Sequence, residues 1–332
     1  MDGLTSRSLE PFLPVRLHKE IKAFVNYLQP TTEEHEIRGL VLQQIGDVAR
    51  EIWPDAKAHA FGSFATKLYL PTGSVKLNAG FIVYLLFHSD IDVVLETSYV
   101  PMDNPSRLDA LRKLAKRLSK SHVVFGNRLE VIKARVPIVK FASVHGTDFE
   151  TTLLASFDIF SARIPVDISI NQTTGLGAVA LINRYLQHFP ALRPLIMIIK
   201  LFLSSRGLNE VFKGGLGSYS IICMVISFIQ VHSPFRAVVC TDVSYLQMHP
   251  KIRLGEVDPS ENLGVLLIEF FEFYGQYFNY DDCGICISNG GSYYRKAQRG
   301  WADLKQPYLM SVEDPTDPSS PGLLISASCA DR

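Results

Sequence analysis

A chain of 332 residues with 47% hydrophobic side chains is long enough to fill two compact cores. Its 33 acidic and 33 basic residues cancel, which excludes a chain that grips nucleic acid through bulk positive charge. The longest apolar runs, residues 79–87 and 195–203, fall far short of the ~20 residues a membrane helix needs. The opening Met1-Asp2-Gly3-Leu4-Thr5 lacks the basic and apolar regions of a secretory signal, so an intracellular chain is expected.

In chain order, residues 15–27 read as a helix. Pro30-Thr31-Thr32-Glu33-Glu34 follows, where a threonine with acids downstream caps a second helix running through Trp53. Next comes Phe61-Gly62-Ser63, a Gly-Ser turn whose backbone N–H groups and hydroxyl suit a triphosphate tail. Ser89-Asp90-Ile91-Asp92-Val93-Val94 alternates as a strand does, placing Asp90 and Asp92 on one face and Ile91 and Val93 in a core. Leu108, Leu111, Leu114 and Leu118 form the apolar stripe of a helix. Its other side carries Arg107, Arg112, Lys113, Lys116, Arg117 and Lys120, either a solvated face or an RNA or partner contact.

Strands are expected over 129–141 and 151–170, with a turn at 142–148. In the second, Val166, Ile168 and Ile170 take the buried face and leave Asp167 and Ser169 on the other, where Asp167 joins the first pair. Three carboxylates that close repel one another unless cations hold them. Oxygen-only ligands favour magnesium or manganese, and a pair of such ions can clamp the attacking and leaving oxygens of a phosphoryl displacement.

From Gly177 onward the pattern is helical. Residues 195–203 are apolar all round except for Lys200, which either snorkels or meets an anion. Lys213-Gly214-Gly215-Leu216-Gly217-Ser218-Tyr219-Ser220 leads into an apolar helix at 221–231, a helix start that can also hold an anion. Lys200 and Ser218 can therefore meet one triphosphate, while Tyr219 is either a stacking platform for a base or a core tyrosine. The five cysteines are expected to be reduced. Cys283-Gly284-Ile285-Cys286 has the spacing of half a zinc site without a matching second pair, and otherwise reads as a short hairpin before Ser288-Asn289-Gly290-Gly291.

Taken in order, the motifs carry a resemblance. They are Phe61-Gly62-Ser63 with Leu68-Tyr69-Leu70-Pro71-Thr72, Ser89-Asp90-Ile91-Asp92, Val166-Asp167-Ile168-Ser169, Leu208-Asn209-Glu210-Val211, Gly214-Gly215-Leu216-Gly217-Ser218-Tyr219-Ser220 and Glu313-Asp314-Pro315. From about Val15 to Asp317 the chain resembles the Trf-type non-canonical poly(A) RNA polymerases of the polymerase β-like nucleotidyltransferase superfamily.

The resemblance implies an α+β protein: a nucleotidyltransferase domain with a mixed sheet over 31–174, a helical PAP-associated central domain over 175–318, and an N-terminal helix within 1–30 packing on the latter. ATP would lie in the cleft between the two domains. The implied activity is addition of AMP from ATP to RNA 3′ ends with Mg2+ or Mn2+, in the nucleus, marking aberrant or precursor RNAs for the exosome. The implied partners, as in a TRAMP complex, are a zinc-knuckle RNA-binding protein and an RNA helicase.

By the same resemblance Asp90 and Asp92 coordinate both metals, and Asp167 completes the site and draws the proton from the RNA 3′-hydroxyl. Gly62 and Ser63 bind the β- and γ-phosphates and Gly175 lines the nucleotide pocket by its backbone. Lys200 and Ser218 hold the triphosphate and Tyr219 stacks on adenine. A terminal uridylyltransferase and a catalytically impaired scaffold are the other readings.

Two stretches depart from the family pattern. Residues 73–88 intervene where the family runs directly from Leu-Pro-Thr into Ser-Asp-Ile-Asp, and they separate Ser63 from Asp90; an intron translated in frame would produce this, with His88 as a by-product. The second is the tail, 319–332, where Ser320-Pro321-Gly322-Leu323-Leu324 stands in place of an Asn and an Arg that read the base. Weaker ATP binding and poorer base discrimination are expected from that loss, at ~1 kcal/mol per hydrogen bond.

Overall fold

The computed structural model describes residues 12–70, 75–76, 82–83, 89–147, 162–209, 214–232, 262–315 and 323–325. Lys213, Glu210, Val211, His88, Cys240, Cys329, most of the 73–88 segment and most of the tail lie outside them. The chain divides into two compact units, Leu28–Asn183 and the remainder, Met1–Tyr27 with Arg184–Arg332.

The first helix, α1 (Phe12–Tyr27), belongs to the second of these units. The Leu28–Asn183 unit opens with α2 (Thr32–Arg50), whose cap is the expected threonine: Thr31 Oγ1 accepts from the Glu34 amide at 3.1 Å. There follow β1 (Lys57–Phe61), the short helix α3 (Gly62–Thr66), the two-residue strands β2 (Val75–Lys76) and β3 (Ile82–Val83), and β4 (Ile91–Glu96). The unit is completed by α4 (Asn104–Leu118), β5 (Val124–Ile132), β6 (Ile138–Thr147) and β7 (Ala162–Ile170), and α5 (Thr174–His188) leads out of it.

Five of the strands form one mixed sheet in the order β1-β4-β7-β6-β5. The β4–β7 pair is parallel and the other three are antiparallel. The inner face is apolar: Ile91, Val93, Val166 and Ile168 are all fully enclosed beneath α2 (Val41, Ile45) and α4 (Leu111, Leu114, Leu118). Each such side chain contributes roughly 1.5–3 kcal/mol on burial. This layer makes the outer face of the same strands available for charged side chains.

The chain reversal expected at 142–148 is misplaced. β6 runs on to Thr147, and the turn before it lies at 133–137, where Lys133, Arg135 and Pro137 interrupt the alternation. The pairing of β6 with β7 slips between Ala142 and Gly146. Such a bulge breaks the period-2 pattern and so imitates a turn in sequence. The expected start of the second strand at 151 falls outside the described residues.

On α4 much of the basic face is used within the unit. Arg107 donates to the Asn171 carbonyl at 2.9 Å, Arg112 pairs with Asp109, Arg117 pairs with Glu51, and Lys113 lies 5.9 Å above the Trp53 ring. The far end of β4 is fixed by Asp55, which accepts from Thr97 Oγ1 (2.6 Å), the Ser98 amide (2.8 Å) and Ser98 Oγ (2.6 Å).

The Ser98 and Thr97 hydrogen bonds pull the Asp55 carboxyl down from 3.8 to about 2. A depressed acid stabilises the fold above its ordinary value and loses that contribution as pH falls through the folded value. Asp55→Ala should therefore melt below the parent near neutral pH, with the gap closing as pH drops from about 4 toward about 2. Thermal melts across that range check this, and a pH-independent gap would contradict it.

The other unit contains α6 (Leu192–Ser205), α7 (Ser218–His232) and α8 (Leu263–Glu272), the last continuing into one wider turn at Phe273–Tyr277. α1 packs on α8: His18 Nδ1 accepts from the Leu263 amide at 3.0 Å, and a Cβ on Gly264 would come within 2.3 Å of the Pro14 carbonyl oxygen. Beyond the expected helices lies a small sheet, β8 (Cys283–Cys286), β9 (Ser292–Arg295), β10 (Met310–Val312) and β11 (Leu323–Ile325), in the order β11-β10-β8-β9. Its β8–β9 hairpin accounts for the Cys-x-x-Cys spacing; both thiols are free, and Cys286 Sγ faces Glu313 Oε1 at 3.4 Å. Among the described residues no single helix is long and apolar enough to cross a membrane.

Candidate active site

The outer face of the five-stranded sheet carries a row of charged side chains next to the Gly-Ser turn. Strand register sets Phe61 of β1 opposite Asp92 of β4, Asp92 opposite Asp167 of β7, and Asp167 opposite Lys140 of β6. Residues directly opposite one another project on the same side of a sheet, so Asp92, Asp167 and Lys140 are neighbours. Asp90, two residues before Asp92, joins them: Lys140 Nζ lies 3.2 Å from Asp90 Oδ2 and 3.0 Å from Asp167 Oδ1.

Lys140 was not among the residues that pattern reading selects. The signal it leaves is a lysine in the alternating strand Ile138-Val139-Lys140-Phe141, whose neighbours Val139 and Phe141 are buried. Burial alone pulls its ammonium down, but the charges and hydrogen bonds of Asp90 and Asp167 outweigh this and hold it above its ordinary value. Asp167 is pushed up, first by burial and then by the charge of Asp90, with Lys140 opposing.

Gly62 lies against the row. Its φ is +63°, a conformation that disfavours any side chain, and a Cβ there would stand 2.2 Å from Asp92 Oδ2. The Gly-Ser turn is thus in contact with the aspartate strand, and Ser63 begins the next step of α3. Its carbonyl accepts from the Leu68 amide at 2.9 Å, and the Gly62 carbonyl accepts from Thr66 Oγ1 at 3.0 Å, which fixes the turn internally. Gly175, in the first turn of α5, packs on the other side of Phe61, where a Cβ would come within 2.7 Å of the ring.

Residues 73–88 stand in the chain between the Gly-Ser turn and the aspartates. The chain departs at Leu70 and returns at Ser89, and these two residues are hydrogen-bonded, Leu70 N to Ser89 Oγ at 3.1 Å. Within the segment β2 and β3 pair with each other and not with the five-stranded sheet.

The expected three-carboxylate cage is not ready-made. Among the described residues no three acidic, histidine or cysteine side chains are gathered closely enough to hold an ion as they stand. Asp90 and Asp167 are gathered around Lys140, while Asp92 lies against Gly62. Like charges separate unless a cation sits among them, and here an ammonium is that cation. The donor set nevertheless fits a hard divalent ion: it is all carboxylate oxygen, on one face, and it already holds a positive charge between two of its members.

Lys200, Ser218 and Tyr219 belong to the other unit. Lys200 is 7% exposed, on the apolar helix α6. Ser218 opens α7 and is exposed. Tyr219 is half-buried with its hydroxyl enclosed, and burial pushes its phenol far up, so whatever it presents to solvent is not the hydroxyl.

Residues 17–78 and 80–187 match the family described as "Poly(A) RNA polymerase, mitochondrial-like, central palm domain", and residues 262–320 match the Cid1 family poly A polymerase. The chain is 42% identical over 301 residues to Poly(A) RNA polymerase CID14 of Cryptococcus neoformans, an alignment that covers 91% of this chain and 32% of the relative. It superposes on the polymerase core of TRAMP, a RNA surveillance complex, with a TM-score of 0.67 at 36% identity, covering 92% of this chain and 79% of that one. The Cid1 poly(U) polymerase has the same fold, with a TM-score of 0.65 at 19% identity, covering 95% of this chain and 89% of its own. The chain spans about a third of the length of curated relatives such as CID14. With a mixed five-stranded sheet presenting Asp90, Asp92 and Asp167 beside a Gly-Ser turn, and a helical PAP-associated unit, the chain belongs to the Trf-type non-canonical poly(A) RNA polymerases of the polymerase β-like nucleotidyltransferase superfamily.

Proposed function

We propose that this chain is the catalytic part of a template-independent polynucleotide adenylyltransferase that transfers AMP from ATP to RNA 3′ ends. The observation that carries the reading is the row Asp92–Asp167–Lys140 with Asp90 beside it, on the solvent side of a sheet whose other face is fully packed, and in contact with the Gly-Ser turn. A divalent metal held by Asp90, Asp92 and Asp167 would supply neutralising charge to the α-phosphate and to the leaving pyrophosphate. Gly62 and Ser63 take the β- and γ-phosphates through backbone N–H groups and the serine hydroxyl. Lys200 and Ser218 bind the triphosphate tail, Tyr219 offers its ring to adenine, and Gly175 lines the nucleotide pocket by its backbone.

The RNA 3′-oxygen attacks the α-phosphorus, the bond from that phosphorus to the bridging oxygen breaks, and pyrophosphate departs. The hydroxyl proton passes to Asp167. Most of the acceleration then comes from positioning and charge.

The similarity to the polymerase core of a RNA surveillance complex supports a nuclear role in exosome-linked decay. The net charge of zero supports dependence on partners for RNA, a zinc-knuckle protein and a helicase. The test is extension of a short RNA primer with Mg2+ and each nucleoside triphosphate in turn, with Asp90→Ala as control. Adenylate tails that vanish in the control are expected. Uridylate tails would make the chain a terminal uridylyltransferase, and no tails with any nucleotide would leave it a scaffold.

A further inference from the structure

Outside the acidic row, the most unusual polar group in the Leu28–Asn183 unit is Arg38 of α2. It is 0% exposed, and so is the Tyr69 ring beneath it; its partner Glu34, one turn earlier, is 3% exposed. Arg38 Nε and Nη2 donate to Glu34 Oε1 at 3.3 and 3.1 Å, and the guanidinium lies 4.3 Å from the centre of the Tyr69 ring. Its remaining arm, Nη1, reaches 51 residues along the chain and donates to the Ser89 carbonyl at 2.9 Å. Ser89 is the residue before Asp90, and its hydroxyl is held in turn by the Leu70 amide.

A buried ion pair is commonly no more stabilising than an apolar pair of the same volume, so this pair is better judged by what it positions than by what it adds to stability. The two segments that Arg38 touches, Tyr69 and Ser89, are the two sides of the neck from which residues 73–88 emerge. Phe64 of the Gly-Ser helix packs on the same group, through His35 and Tyr69. We infer that the Glu34–Arg38 pair is a positioning clamp that fixes Ser89, and through it the carboxylate of Asp90, at the point where the chain returns after residues 73–88. The inference rests on the adenylyltransferase reading for its effect on turnover, but not for its effect on the backbone at Ser89.

The test uses the full chain and the double variant Glu34→Leu/Arg38→Met, which keeps an apolar pair in the core and leaves no unpaired buried charge. A second background lacks residues 73–88; Pro71 and Thr72 then join Leu70 to Ser89, and at ~3.8 Å per residue this spans two segments already in hydrogen-bond contact. In the insert-bearing chain the double variant should keep its melting temperature and its KM for ATP, and lose about tenfold or more in kcat through misplacement of Asp90. Amide hydrogen exchange at residues 89–92 should accelerate while β7 stays protected. In the background without 73–88 both effects should largely disappear, which a general loss of core packing would not produce.

Unchanged kcat and unchanged exchange at 89–92 in the double variant would overturn the clamp. So would an equal penalty with and without the segment. If the parent chain makes no tails at all, it is the adenylyltransferase reading that fails, and the exchange measurement alone then decides the clamp. Arg38→Lys provides the conservative control: it retains a donor toward Ser89 and should recover part of the kcat.

Discussion

Asp92→Asn is expected to lower AMP transfer by about a thousandfold or more, a loss of roughly 4 kcal/mol in transition-state stabilisation, while the fold is retained. The asparagine has the same shape and can remain beside Gly62, but it gives up the charge that a metal needs. The isosteric amide fills the same space, so thermal stability should stay close to that of the parent. This combination separates a functional charge from a structural one. Single-turnover primer extension together with a thermal melt measures both, and turnover within tenfold of the parent would remove Asp92 from the catalytic set.

The second large effect is expected at Gly62. An alanine there meets two penalties: a φ of +63°, costing about 1 kcal/mol, and a Cβ placed 2.2 Å from Asp92 Oδ2. The carboxylate must move, and a displacement approaching ~1 Å at a reacting centre costs on the order of a hundredfold in rate. Gly126 supplies the control, because its φ of +62° is nearly the same but nothing lies within 4 Å of the position its Cβ would occupy. Gly126→Ala should lose stability to backbone strain and keep its turnover, whereas Gly62→Ala should lose both. Equal turnover in the two variants would show that Gly62 is needed only for its backbone angle.

The acidic row was largely legible in sequence because alternation along a strand is a local property. Asp90 and Asp92 share a face by spacing alone, and Val166, Ile168 and Ile170 disclose the face of Asp167 by occupying the opposite one. The register that sets Asp92 against Asp167 and Lys140 is not local, and nothing in the sequence near Lys140 announces it. The same holds for Arg38, whose contact with Ser89 spans 51 residues. Read as one more charge in Glu33-Glu34-His35-Glu36-Ile37-Arg38, it looks like a solvated helix position, yet it is fully buried.

The misplaced turn at 142–148 has a different origin, since a bulge and a turn break alternation alike. The 73–88 segment shows what distance along the chain leaves out. Counted along the chain it separates the phosphate turn from the aspartates, but the fold closes its neck at Leu70 and Ser89. The looser grouping of the carboxylates also follows from charge: with an ammonium seated between Asp90 and Asp167, the arrangement is that of a site whose cation is a lysine.

The most direct test is therefore a crystal structure of the chain with Mn2+ and a non-hydrolysable ATP analogue, with the ion located by its anomalous scattering. Manganese is expected within ~2.2 Å of oxygens from Asp90, Asp92 and Asp167, with the Lys140 ammonium moved off the pair it now bridges and the triphosphate against Gly62 and Ser63. Manganese bound elsewhere, or Lys140 still seated between Asp90 and Asp167 with nucleotide present, would contradict that arrangement.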